Sequence, residues 1–378
     1  MKIIAFYLPQ FHSIPENDAW WGKNFTEWEN VKKARPLFNG HKQPKTPQSE
    51  NYYNLLDYKV LQWQANLAKD AGLYGFCIYH YWFNGHMLLE KPMEMLLQHP
   101  EIDLNYCISW ANEDWTKAWV GKDNQTLISQ NYGEKKEWEE HFNYFNKFFK
   151  DKRYITENGK PILVIYRPEL IPCLKEMLEY WKELAKKSGL EGIKFAYQHP
   201  NFTFIKEKDD SCFDYAIEYQ PAFARRLMFH NENSAIFVVK RKFDLWMQKV
   251  FHRSLDLSFL KGQKGPSVFY YDEVWATILN QTPLSGKSIP GAFVNWDNTP
   301  RRGKTGSVAI GATPEKFKEY IKKQIIHAKT IYHKDMIFIF AWNEWAEGGY
   351  LEPDFDNGNR YLSGIREALI ETSEEVER

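Results

Sequence analysis

Eight short apolar runs, separated by stretches with helical spacing, constrain this chain more than any other feature. The runs are 3–8, 74–79, 104–108, 161–166, 193–197, 213–217, 291–295 and 336–341. Each is apolar nearly throughout rather than alternating, as in a parallel strand buried on both faces. Helical spacing fills most of the intervals, over 58–71, 87–98, 138–149, 174–187, 272–279 and 314–328. Gly72 and Gly189 close two of these helices, and Pro314 opens another. A last helix is expected over 360–371.

Alternating strands and helices leave two architectures. An open doubly wound sheet would carry a glycine-rich phosphate turn after its first strand. That position holds Pro9-Gln10-Phe11-His12, and no G-x-G-x-x-G, Walker A or G-x-S-x-G pattern occurs in the chain. Polar and aromatic residues instead recur just past the runs, as in a (β/α)8 (TIM) barrel, whose active site is built from the loops after its strands. The expectation is an α/β fold, one such barrel over residues 1–378. The sixth and seventh runs are about seventy residues apart, more than one crossover helix needs. An insertion is therefore expected around residues 221–266, with an amphipathic helix over 240–251 and a loop near 261–265.

Acidic and basic residues balance, 49 against 49, so nothing points to a nucleic-acid groove or an anionic membrane surface. No apolar stretch is long enough to span a bilayer. The N-terminal run reads as a strand rather than a signal peptide. Four cysteines, without a C-x-x-C pair, read as buried free thiols and permit a reducing compartment; the expected location is cytoplasmic. The aromatic count is the anomaly, at 15 Trp, 22 Tyr and 26 Phe. A core absorbs many of these. However, Trp and Tyr cluster here with Asn, Asp, Glu and His, a combination that suits the CH-rich faces and hydroxyl edges of a sugar.

The densest cluster follows the last run: Trp342, Asn343, Glu344, Trp345, Ala346, Glu347, then Gly348 and Gly349. If this segment turns helically, the two glutamates point to one side. Unequal surroundings can then push their pKa values apart and divide acid from base work. Alone, E-x-x-E reads as a helix first turn; Trp342, Asn343, Trp345, Gly348 and Gly349 crowded around it favour the functional reading here. Similar boxes follow other runs: Trp110, Asn112 and Glu113 after the third, and Trp296, Asp297 and Arg301 after the seventh. Asp297 with Arg301 also fits a bracing ion pair. Glu27 is either a sugar contact or a helix-start residue. His12, His80 and His199 follow the first, second and fifth runs. They lack H-E-x-x-H or comparable spacing, so no metal and no cofactor is expected. Asp354-Phe355-Asp356 matches the D-x-D of metal-dependent sugar transferases, but so short a pattern is common by chance.

Longer segments carry a resemblance. Tyr7-Leu-Pro-Gln-Phe-His12, Trp20-Trp-Gly22, Phe25-Thr-Glu-Trp28, Tyr79-His-Tyr-Trp-Phe-Asn-Gly85, Tyr166-Arg-Pro168, Trp296-Asp-Asn-Thr-Pro-Arg-Arg302 and Ala341-Trp-Asn-Glu-Trp-Ala-Glu-Gly348 resemble the WbsX-type proteins of bacterial surface-polysaccharide loci. These are also described as glycoside hydrolase family 99-like. Where the family pattern carries two arginines after Trp115, this chain has Thr116-Lys117. The resemblance implies a (β/α)8 barrel acting on α-mannosidic linkages with retention. It implies that one glutamate deprotonates the sugar's own 2-hydroxyl, which attacks the anomeric carbon to give a 1,2-anhydro sugar. A second glutamate protonates the leaving oxygen and then activates water. It assigns the base role to Glu344 and the acid/base role to Glu347.

The expected glycan contacts are Tyr7, His12, Trp28, His80, Trp82 and Trp110 in the first part of the chain. Asn112, Glu113, Tyr166, His199 and Glu218 follow, then Trp296, Asp297, Arg301, Trp342 and Asn343. The expected partner is an oligosaccharide or polysaccharide. Hydrolysis leads the readings; a glycosyltransferase for a surface polysaccharide and a non-catalytic carbohydrate-binding barrel are the alternatives.

Overall fold

A computed structural model describes residues 1–117, 125–199, 209–232 and 265–374. Its main sheet contains nine parallel strand segments: β1 (Lys2–Tyr7), β2 (Gly75–Phe83), β3 (Asn105–Trp110), β4 (Lys160–Ile165), β5 (Lys194–His199), β6 (Tyr215–Glu218), β7 (Ser288–Ile289), β8 (Gly291–Phe293) and β9 (Met336–Phe340). They pair in the order β7-β6-β5-β4-β3-β2-β1-β9-β8. The two ends of this path are one strand interrupted at Pro290. Before the proline, Ser288 and Ile289 pair with Ala216 and Ile217 of β6. After it, Gly291, Ala292 and Phe293 pair with Phe338, Ile339 and Phe340 of β9. Proline has no amide to continue a ladder, so the strand changes partner there. Gly291 lets the backbones come together: a Cβ on it would lie 1.8 Å from the Glu218 carbonyl oxygen. The eight expected strand positions are therefore present in a nearly closed barrel, with the seventh broken in two.

Helices cover the outside. The helix α1 (Glu27–Lys33) precedes α2 (Tyr58–Asp70) and α3 (Lys91–Gln98). The helix α4 (Lys135–Phe149) begins in a capping box between Glu134 and Glu137. It buries Trp138, His141, Phe142, Phe145 and Phe149, one face at helical spacing. The helix α5 (Leu174–Lys187) buries Leu174, Met177, Leu178, Trp181 and Ala185 in the same way. The Trp181 indole N–H donates to the Trp138 carbonyl at 2.8 Å, so the large ring is buried without an orphaned donor. Further helices are α6 (Ala222–Glu232), α7 (Tyr271–Asn280), α8 (Pro314–Thr330) and α9 (Arg360–Glu374), and shorter ones span Pro15–Trp21 and Thr299–Arg302.

The helix expected over 240–251 and nearly all of the loop near 261–265 lie outside the described residues. The flanks of that segment are α6 and a strand, Ser267–Tyr270, which pairs in parallel with Ser307–Ile310. Cys77, Cys107 and Cys212 are buried free thiols, and Cys173 is half-buried. No described helix is long and apolar enough to cross a membrane.

Several strands extend past their apolar runs, which changes what their ends present. The second run stops at Tyr79, but β2 continues to Phe83, where Tyr81, Trp82 and Phe83 pair with a short returning strand, His86–Leu88. His80, Trp82, Trp110, His199 and Glu218 thus lie within strands, not in the loops that follow them. Side chains of a strand alternate between faces. In β2, Tyr79 faces the barrel interior, where it meets Phe6 at 5.8 Å between ring centroids and its hydroxyl lies 3.1 Å from that of Tyr219. His80 and Trp82 face the helices.

Candidate active site

The last strand delivers the site. Beyond β9, the Trp342 amide donates to the Phe6 carbonyl at 2.8 Å. The Asn343 side chain accepts from the Leu8 amide at 2.8 Å and donates to the Leu8 carbonyl at 2.9 Å, replacing a ladder partner for β1. Asn343 and Glu344 then pair with Tyr350 and Gly349 in a small hairpin. Between them Trp345–Glu347 forms one 3-10 turn, closed by Gly348 at φ 67°. A 3-10 turn repeats every three residues, so Glu344 and Glu347 fall on the same side. At Gly348 a Cβ would also lie 2.7 Å from the Asp297 amide nitrogen, so this glycine answers to both backbone conformation and space.

Both glutamates reach the same guanidinium. Arg301 donates from Nη2 to Glu344 at 3.0 Å and from Nη1 to Glu347 at 2.7 Å. Its Nε donates to Glu27, the first residue of α1, at 2.8 Å. One cation thus serves three carboxylates. Glu27 and Glu344 are almost wholly enclosed, whereas the Glu347 side chain keeps 22% of its surface exposed. Burial pushes the Glu344 carboxyl well above the ordinary carboxylate range, to about 8; Arg301 opposes this, and the charges of Glu347 and Glu27 add to it. The cluster therefore favours a proton on Glu344 near neutral pH.

Asp297 braces this cluster rather than opening onto it. One carboxylate oxygen takes His41 Nε2 at 2.8 Å and Gln43 Nε2 at 2.7 Å; the other takes the Thr299 hydroxyl at 2.6 Å and amide at 3.1 Å. The Leu37 amide donates to His41 Nδ1, which fixes the tautomer that donates to Asp297. The Asp297 amide donates to the Glu347 carbonyl at 2.7 Å. Trp342 and Trp345 are braces too. Their indole N–H groups donate to Glu352 at 2.9 and 2.6 Å, and Trp28 packs on Trp345 at 5.5 Å between ring centroids.

Tyrosines line the neighbouring space. The phenols of Tyr79, Tyr81 and Tyr219 feel the Glu344 charge, and Tyr166 feels those of Glu113 and Glu347. Glu113 pairs with Arg167 at 3.3 Å, and burial raises its pKa against that pull. Arg167 also takes Glu169 at 2.5 Å. Trp296 sits half-buried against Phe340 at 5.4 Å. Of the residues singled out in the sequence, Glu344, Glu347, Arg301, Tyr166, Glu113 and Trp296 are thus gathered at this end of the barrel.

Others are directed elsewhere. His80 bonds His141 at 3.0 Å, and burial keeps both rings neutral, lowering His80 to about 3. Trp82 stacks on His141 at 4.4 Å, and Trp110 meets His141 and Trp181, so these three form an aromatic layer beneath α4 and α5. Tyr7 donates to Gln64 of α2 at 2.8 Å. Glu218 accepts from Tyr332 at 2.7 Å, and His199 packs on Phe223 of α6. Asn112 ties β3 to β4 through both backbone groups of Arg167. His12 is buried, and burial lowers its pKa to about 4 against the pull of the Pro9 backbone and the Glu90 charge.

Tyr79, Tyr81, Tyr219, His41 and Gln43 are not among the expected glycan contacts. Strand parity was the available signal for the first two. The D-x-D carboxylates are engaged locally: Asp354 accepts from Tyr350 and Asn357, and Asp356 lies 3.8 Å from Lys45. Among the described residues, no group of three or more His, Cys, Asp or Glu side chains is placed to hold a metal ion.

This fold and cluster define a barrel protein with paired carboxylates at the end of its last strand. The family model described as Glycosyltransferase WbsX matches residues 3–365, and the chain belongs to that family. The Xanthomonas campestris pv. campestris (strain B100) protein described as "Uncharacterized protein WxcX" is 34% identical over 374 residues, 97% of this chain and 49% of that protein. The chain spans about half the length of the curated relatives it matches. The fold is similar to that of the GH99 endo-alpha-mannosidase from Bacteroides thetaiotaomicron, with TM-score 0.55 and 14% identity over 99% of this chain and 98% of that one. A glycoside hydrolase-like protein gives TM-score 0.55 at 12% identity, covering 97% and 93%.

Proposed function

We propose that this chain is a glycan-active enzyme, a retaining glycoside hydrolase of endo-α-mannosidase type. One observation carries the reading: Glu344 and Glu347 share Arg301 but differ in enclosure and solvent contact. In the reactive form the cluster's proton lies on Glu347 rather than on Glu344, and in the first step the ionised Glu344 takes the proton of the sugar 2-hydroxyl. Its raised proton affinity makes it the stronger base for so weak an acid. The freed oxygen attacks the anomeric carbon while Glu347 donates a proton to the leaving oxygen. In the second step Glu347 takes a proton from water, the water oxygen opens the 1,2-anhydro ring, and Glu344 returns its proton to O2. Arg301 holds both carboxylates in place, and Trp296 and the tyrosines offer flat faces to sugar CH groups. This differs from the usual retaining pair, in which a carboxylate is itself the nucleophile.

The family description favours a second reading, glycosyl transfer to another sugar. Product analysis in heavy-oxygen water separates the two, using α-mannosides and bacterial surface polysaccharides with and without nucleotide sugars. Hydrolysis puts heavy oxygen at a new reducing end without any nucleotide sugar. Extension that depends on a nucleotide sugar would overturn it. The Glu347→Gln variant should lose turnover by about a thousandfold or more while still binding glycan. Turnover like the wild type would remove Glu347 from its role.

A further inference from the structure

Rings and polar side chains also meet outside the Arg301 cluster. A groove of about 660 Å³ lies between helix α2, the loop before it and the loop after β9. Trp63 and Leu67, four residues apart on α2, give it an apolar side together with Pro353. Both stay half-buried, beside the face of α2 that Leu61, Gln64, Ala65 and Ala68 bury. Gln48, Asn51 and Asn359 give the groove its polar side, and all three are exposed. Among the described residues their side-chain amides have no hydrogen-bond partner.

The groove is held in shape and tied to the catalytic turn. The Gln48 amide donates to the Pro353 carbonyl at 3.0 Å, and the Phe355 amide to the Thr46 carbonyl at 2.9 Å, which stitches the two loops together. Ser49 and Glu50 follow with left-handed backbone, at φ 56° and 53°. Two successive non-glycine residues adopt it only where their surroundings impose it. Tyr52, which also lines the groove, packs edge-on against Trp28 at 5.2 Å between ring centroids. Trp28 in turn packs on Trp345, between the two glutamates, at 5.5 Å. The groove is thus two ring contacts away from Glu344 and Glu347.

The lining selects a ligand. Glu50 is the single charged residue in it, so it offers no cation to an anionic group. Side-chain amides donate and accept hydrogen bonds, as sugar hydroxyls do. A flat indole beside them suits the CH face of a pyranose. We propose that this groove is a second glycan-binding site, which stacks an uncharged sugar residue on Trp63 and bonds its hydroxyls through Gln48, Asn51 and Asn359. This rests on the glycan-active reading above and narrows the substrate to glycans long enough to occupy the groove and the catalytic cluster together.

Length dependence of binding tests it. The full chain carrying Glu347→Gln is titrated with α-manno-, α-gluco- and β-gluco-oligosaccharides. Each series is used as the disaccharide and as chains of about ten residues, in which a second contact acts at high effective concentration. In at least one series the long form should bind about tenfold tighter than the short one. Trp63→Ala should shrink that gain to about twofold or less and leave disaccharide binding unchanged. The double variant Asn51→Ala, Asn359→Ala alters exposed side chains alone and should remove part of the gain, which decides the matter if Trp63→Ala does not fold. No length preference in any series, binding of none of them, or a preference that persists in both variants overturns the proposal. So does a Trp63-dependent dimer in sedimentation without length preference, which would make the groove a contact between copies. A Trp63-dependent preference without cleavage of any series keeps the groove and loses the hydrolase reading. Cleavage of long chains with the same kcat and KM by proteins with Trp63 and with Trp63→Ala, both retaining Glu347, does the reverse.

Discussion

Two carboxylate clusters sit within a few residues of each other past the last strand, and they are built on opposite plans. Around Arg301, one cation is shared by Glu27, Glu344 and Glu347. Around Glu352, one buried carboxylate is held by neutral donors alone: Tyr53 at 2.9 Å, Gln64 at 2.7 Å, Trp342 at 2.9 Å and Trp345 at 2.6 Å. Burial raises both acids, Glu344 to about 8 and Glu352 to about 7, the latter against the pull of its donors. The Glu352 carboxylate has its acceptor sites filled and can only hold things in place. It fixes the indoles on either side of Asn343 and Glu344. The Arg301 cluster has more acids than cations, and Glu347 remains open to solvent. A surplus of acid with one exposed member is what proton transfer needs; a saturated acid is what positioning needs.

The comparison breaks most readily at Arg301. Replacing it with Met leaves enclosed carboxylates without a counter-charge and should cost about 3 to 5 kcal/mol in denaturant unfolding. Adding Glu27→Gln to that variant should recover part of the loss. A cost below about 1 kcal/mol would mean that charge does not hold this cluster together. A smaller effect is expected at Glu352. The Glu352→Gln variant turns an acceptor-only group into one with an amide N–H facing donors, and should cost roughly 1 to 3 kcal/mol. It should also change the near-ultraviolet dichroism of the indoles, because Trp342 and Trp345 bond different oxygens of Glu352 and one of them loses its acceptor. Unchanged stability and spectrum would refute the bracing role.

Glu218 sharpens the contrast at the smallest scale. Among the described residues it has a single donor, Tyr332, and an unpartnered second oxygen, and burial raises it to about 8. The folded chain holds this proton more tightly than the unfolded chain. The wild type therefore loses stability as pH rises from the ordinary carboxylate range to about 8. The Glu218→Gln variant has no such loss. Relative to wild type it should gain stability steadily across that window and level off above it. Parallel melting curves at every pH would show that Glu218 does not titrate with folding.

Much of this molecule is legible from local pattern. The eight strand positions follow from continuous apolar runs, and the helices α4 and α5 from their spacing. The pairing of Glu344 with Glu347 follows from a three-residue interval that any tight helical turn brings to one side. What misled were residues such as His80, Trp82 and Trp110. An alternating strand announces its buried face, but β2 is buried along its whole length, so its sequence carries no sign of which face looks inward. Tyr79 and Tyr81 face the carboxylates, and their neighbours in sequence brace the helices.

The sequence by itself determined the strand–helix rhythm, the aromatic and acidic character of the strand ends, and the placement of two glutamates on one turn. These rest on interactions among residues a few positions apart. Only the tertiary structure decided which carboxylates share a cation, because Glu27 and Arg301 lie 274 positions apart and meet only when the barrel closes. Closure also chose the inward face of each doubly buried strand and split the seventh at Pro290. Both are settled by contacts between strands, which no local spacing encodes.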